Sequence, residues 1–194
     1  AASPYASTQE DPTEMPADTY SLTITDSEGC SQAFPDLLTI GEPSAISVSV
    51  TGTSPVTCFG GADGGASIDV SGGTPIYSFS WTGTGTGHSS SMEDPTDLRA
   101  DNYNLTVTDD QGCNQDFNDL LTISEPPEIE VTVLQVVPVD CHGESTGSAS
   151  ISTSGGTPGY TWAWTGPNGF TTDTEDLVNL EAGDYSLTVT DANG

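Results

Sequence analysis

Cysteines, turn aspartates, histidines and tryptophans are the side chains of this sequence that could do chemistry. The thiols are Cys30, Cys58, Cys113 and Cys141, and no Cys-x-x-Cys spacing gathers them as metal ligands. In an acidic, lysine-free chain that reads as secreted, four such cysteines form disulfides. Two arrangements stand open. Cys30–Cys58 with Cys113–Cys141 repeats one 28-residue spacing, whereas Cys58–Cys113 staples one stretch and leaves Cys30 and Cys141 to partners elsewhere. Asp26, Asp109 and Asp191 each open an Asp-x-x-Gly turn, and with Glu28 and Asp110 they are candidate calcium ligands. Calcium takes about 6–8 oxygens from carboxylates, carbonyls and water. The competing reading is that each Asp caps its own turn, while the remaining acid keeps the chain soluble and extended.

The other candidates point away from catalysis. His88 and His142 have no counterpart elsewhere in the chain and read as surface residues. No nucleophile, base and orienting group stand in a recognisable relation, so the expectation is a protein that is not an enzyme. It has no cofactor unless calcium. Trp81, Trp162 and Trp164 could be sugar-stacking platforms, but their phase with Phe79, Tyr77 and Tyr160 favours packing. Asn104-Leu105-Thr106 is a glycosylation sequon, although it falls where a strand is expected.

These residues are positioned by an internal repeat. Cys30 recurs as Cys113 and Cys58 as Cys141, each 83 residues on. Gly72-Gly73-Thr74-Pro75 returns as Gly155-Gly156-Thr157-Pro158, with Tyr77 and Trp81 matched by Tyr160 and Trp164. Tyr20-Ser-Leu-Thr-Ile-Thr-Asp26 reappears from Tyr103 to Asp109 and from Tyr185 to Asp191. The chain is a tandem array of modules of about 83 residues. Apolar residues alternate with Thr, Ser and Asp at period two, the pattern of half-buried strands. The inward sets are Ile46, Val48 and Val50; Ala66, Ile68 and Val70; Tyr77, Phe79 and Trp81; Tyr103, Leu105 and Val107; and Leu121 and Ile123. With turn residues between them and no period of 3.6, these make an all-β fold of tandem immunoglobulin-like β-sandwich modules. Tyr103 stands where such folds carry a corner tyrosine.

Residues 1–43 match only the later strands of a module, 44–125 form a complete one, and 126–194 form one lacking its last strand. Either the sequence is a window on a longer tandem chain, or incomplete modules of neighbouring chains complete one another by strand exchange. Ala1-Ala2-Ser3-Pro4 lacks the basic and apolar regions of a signal peptide, so the chain reads as a mature or excised piece.

The motifs Cys58-Phe-Gly60, Ser71 to Trp81 and Asn102 to Cys113 recur at Cys141-His-Gly143, Ser154 to Trp164 and Gly183 to Gly194. This pattern closely resembles the SprB repeat of very large cell-surface adhesins of gliding bacteria. The middle module departs from it in a Gly/Ser-rich excursion, Gly83 to Ser91. The resemblance implies an extracellular, cell-surface stalk or filament built of β-rich repeats, with no catalytic residues. Its partners would be copies of itself or adjacent repeats, and surface glycans are a further candidate.

The alternatives are a carbohydrate-binding or accessory module of a secreted enzyme, and a strand-exchanged polymerising subunit. The composition closes off other partners. With 29 acidic residues, one basic residue and a net charge of -28, the chain is unsuited to nucleic acid or to anionic membrane surfaces. No run of about 20 apolar residues offers a membrane span.

Overall fold

The computed structural model describes residues 5–194, so the reading of the N-terminal tetrapeptide lies outside the described residues. The chain is all-β, with every sheet antiparallel. A first hairpin pairs β1 (Asp18–Thr25) with β2 (Ser31–Ile40). The middle module follows as two sheets. β3 (Ser47–Ser54) pairs with β4 (Gly65–Ser71). Facing them are β5 (Ser78–Gly83), β6 (Ser89–Ser90), β7 (Asp101–Thr108) and β8 (Asn114–Ile123), in the order β6-β5-β7-β8.

The last module repeats this plan. β9 (Glu130–Val137), β10 (Gly147–Ser154) and β13 (Leu177–Leu180) form one sheet in the order β13-β10-β9. β11 (Thr161–Thr165), β12 (Thr171–Thr172) and β14 (Ser186–Thr190) form the other in the order β12-β11-β14.

Alternation puts the expected residues inside. Ile46, Ala66, Ile68, Trp81, Tyr103, Leu105, Val107, Leu121 and Ile123 make one core, with Val48, Val70, Tyr77 and Phe79 packed against it. Val50 is the exception: it pairs in register with the buried Ile68, at the last position before the β3–β4 ladder slips at Gly52, and is 38% exposed. Val56 and Leu98 join the core from loops, where no alternation marks them. Ile151, Trp164, Leu177 and Leu180 make the second core.

Each copy of the corner tyrosine bonds the backbone four residues upstream. Tyr20 donates to the Pro16 carbonyl at 2.7 Å, and Tyr103 and Tyr185 to Arg99 and Glu181 at 3.1 Å. The Tyr103 hydroxyl also accepts the Arg99 amide at 3.0 Å. This is the corner that Ig-like sandwiches use to fix a loop onto a strand.

Candidate functional site

The cysteines lie at opposite ends of a module. Cys113 closes the β7–β8 turn, its amide and carbonyl both engaged by Asp109. Cys58 follows β3 at the other end, where the neighbouring Gly60 amide meets Glu125, just past β8. The ten residues of β8 separate the two ends, about 33 Å at 3.3 Å per residue. A disulfide needs Cα atoms within about 7 Å, so the Cys58–Cys113 staple does not form. The Cys30–Cys58 and Cys113–Cys141 arrangement does not form either, since two successive extended strands intervene in each pair. All four thiols are free.

The turn aspartates are committed to backbone. Asp109, only 7% exposed, accepts the amides of Thr74 at 2.9 Å, Gln111 at 3.0 Å and Cys113 at 2.9 Å. Asp191 accepts Thr157 at 2.8 Å, Asn193 at 2.9 Å and Gly194 at 3.2 Å. Asp26 accepts Glu28 at 3.0 Å and Cys30 at 2.9 Å. The Thr74 amide is the largest influence on Asp109 and the Thr157 amide on Asp191, and both carboxyls are held below the ordinary carboxylate range. Asp110 takes only a 3.4 Å contact from Gln111. Among the described residues no three carboxylates, histidines or cysteines come together to hold an ion. The turns are assembled as caps, each Asp carboxylate holding the amides of its own loop.

Most of the remaining candidates are engaged by the fold. Trp81 is fully buried and donates Nε1 to the Met92 carbonyl at 2.9 Å; Trp164 does the same to Thr174 at 3.1 Å. Trp162 is half-buried and donates to Thr153 Oγ1 at 3.0 Å. Asn104 sits in β7 with its Oδ1 accepting the Asp119 amide at 2.8 Å. His142 is exposed. His88, expected at the surface, is half-buried against the edge of Tyr103, with Nε2 shielded and unpartnered.

The arrangement that sequence reasoning missed is the junction between modules. The connector Glu125-Pro126-Pro127 is tied at both ends. Glu125 Oε2 accepts the Gly60 amide of the middle module at 2.6 Å, and the Pro127 carbonyl accepts the Gly156 amide of the last at 2.7 Å. Asn193 Nδ2 of the last module then reaches back to the Thr57 carbonyl at 2.7 Å. Between these ties lies a depression lined by Cys58, Phe59, Pro127, Ile129, Asp191 and Gly194. The same hook operates one module earlier, where Ser44 accepts the Gly73 amide at 2.6 Å. The only sequence signal for it was the recurrence of Glu-Pro in the connectors. Pairing over 136 residues of separation has no local signature.

No curated protein matches the chain. Among the described residues no helix is long and apolar enough to cross a membrane. The family model described as the SprB repeat matches residues 50–86 and 133–169. Each match holds the Cys-x-Gly turn, the Gly-Gly-Thr-Pro turn and the core tryptophan, Trp81 or Trp164. The SprB repeat is a structural repeat rather than a catalytic one, and it occurs in surface proteins. The two regions, one module spacing apart, are SprB repeats, a repeat of the kind found in cell-surface, adhesin-related proteins.

Proposed function

We propose that the chain is a segment of an extracellular stalk or filament of a bacterial surface adhesin, its modules set in line and restrained from bending freely. The observation that carries this reading is the tied junction. One module ends and the next begins within a set of hydrogen bonds that spans Gly60, Glu125, Thr57 and Asn193. Pro126 and Pro127 add fixed φ to the connector. Chain enters the middle module beside the Gly73 turn and leaves beside Gly60, at opposite ends, so successive modules extend a line instead of folding back. Such an array multiplies weak contacts along its length. Adjacent repeats are its first partners. The tryptophans that a sugar-binding reading would use are engaged in packing and in hydrogen bonds within their own module.

Small-angle scattering of the chain tests this. The expected profile is that of an elongated particle whose longest dimension equals its modules laid end to end. A compact particle, or one whose modules sample all relative angles, would overturn the reading.

A second reading, strand exchange, has its own observation. Strand β14 has one bare edge, and the apolar groove beside it includes Val133, Val136, Ile151, Trp164 and Leu177. On β2, Phe34, Leu37 and Leu38 are exposed, at positions matching Phe117, Leu120 and Leu121, which pack into the middle core. This reading has β2 of another copy covering the groove. It requires concentration-dependent head-to-tail oligomers in analytical ultracentrifugation, abolished by Phe34→Asp with Leu38→Asp; a monomer at all concentrations excludes it.

A further inference from the structure

The two ends of the middle module each carry one cysteine. Cys58 lines the depression at the junction with the following module, together with Asp191 and Gly194 of that module's turn. The Asn193 amide of the same turn bonds the carbonyl of Thr57, the residue before Cys58. In the two earlier copies of this turn, the residue after the glycine is a cysteine, Cys30 or Cys113, and its amide is held by the turn aspartate at 2.9 Å. Asp191 holds its own turn in the same way through Asn193 and Gly194. The position that follows Gly194 is therefore delivered by a capped turn to the place where Cys58 stands. Cys113 sits at the other end of the middle module, in a depression shared with Pro43, Ser44 and Gly73, where the preceding module attaches.

We propose that Cys58 and Cys113 are the two halves of a repeating junction disulfide. The Cys-x-Gly cysteine of one module pairs with the cysteine that closes the Asp-x-x-Gly turn of the next. Under this rule none of the four cysteines has its partner position among the 194 residues, which accounts for four free thiols. The proposal rests on the stalk reading in one respect, that an extracellular setting is oxidising. The chemistry is thiol–disulfide exchange with a small-molecule disulfide. One cysteine thiolate attacks it, forming a mixed disulfide and releasing one small thiolate. The second cysteine thiolate then attacks the protein sulfur of that mixed disulfide and expels the other. Two cysteine thiols are oxidised, one small disulfide is reduced to two thiols, and the two protons pass to the released thiolates.

The test is the full chain extended by one cysteine directly after Gly194, reduced, then incubated with oxidised glutathione and mapped by non-reducing peptide mass spectrometry. The expected result is a peptide joining Cys58 to the added cysteine, lighter than its two parts by two hydrogens and split by dithiothreitol. The link is lost in Cys58→Ser. Recovery of Cys58 as free thiol or glutathione adduct, or its linkage to Cys113 or Cys141, overturns the proposal. Scattering of the reduced, unextended chain depends on no thiol. A straight chain without the link therefore sinks the pairing alone, and a linked but freely bending reduced chain sinks the stalk.

Discussion

Asp101 organises the Gly83–Ser91 excursion from a single carboxylate. It accepts the amides of Gly85 at 3.0 Å and Thr86 at 2.6 Å, the Thr86 hydroxyl at 2.7 Å and its neighbour Asn102 at 2.8 Å. In the last module the matching residue is Gly183, packed against Pro167, and the corresponding loop is closed instead by backbone bonds from Gly166 to Phe170 and from Phe170 to Pro167. Partial burial pushes the Asp101 pKa up, but the donors from Thr86, Gly85 and Asn102 outweigh it and bring it to about 2. A carboxyl depressed on folding contributes stability that is complete above its unfolded value, about 4, and lost as pH falls through the folded value. The middle module should therefore lose more melting temperature between about pH 5 and pH 2 in the native chain than in Asp101→Asn. Parallel calorimetric melts of the two proteins check this, and equal losses would show that the excursion is held by something else.

Among the elements, the Ser-Gly-Gly-Thr-Pro turn shows best why its residue types are needed. Gly72 has φ +81° and Gly155 φ +79°, and a Cβ at either would run into the backbone carbonyl of Ala45 or Glu128 at the start of the module. Gly112 has a similar φ of +80° but open space around it. Gly72→Ala should cost about 3 kcal/mol, the left-handed backbone plus the displaced strand, and Gly112→Ala only about 1 kcal/mol. Thermal melts of the two variants should differ accordingly; equal shifts would mean that the close approach to Ala45 carries no energy. The strands, their faces, the corner tyrosines and the core tryptophans were legible because alternation and recurrence are local. Val56 and Leu98 were not, since their burial is decided by loops folding over the core. The Cys-x-Gly turns hid a further regularity. The Thr57 amide donates to Asp63, whereas in the last module the Asp140 amide donates to Thr146. The two residue types exchange places, so a position-by-position match reads as divergence where the contact is kept.

For the molecule as a whole, the separation of module ends matters more than any single site. The candidate calcium ligands and cysteines could be listed from the sequence, but their distance along β8 and the approach of Asn193 to Thr57 arise only once modules are stacked. Replacing Glu125 and Asn193 by Ala should leave the melting of each module nearly unchanged, because both ties lie outside the cores. It should broaden the distribution of longest dimensions in small-angle scattering. Glu125→Gln, which can still accept the Gly60 amide, should restore the narrow distribution. An unchanged distribution in the double variant would assign the stiffness to Pro126 and Pro127 alone.

The direction of the strands bears on how the array answers tension. β3 leaves the end of the module where the chain enters, β8 arrives at the end where it exits, and the Val56 amide donates to the Ser124 carbonyl at 2.9 Å where the two strands finish. Pulling on the chain draws these terminal strands apart lengthwise, so the β3–β4 and β7–β8 ladders are sheared with many hydrogen bonds loaded at once. They are not peeled open one bond at a time. Forced unfolding is governed by the unfolding rate rather than by equilibrium stability. A module with so small a core gains its resistance to pulling from where its two ends emerge.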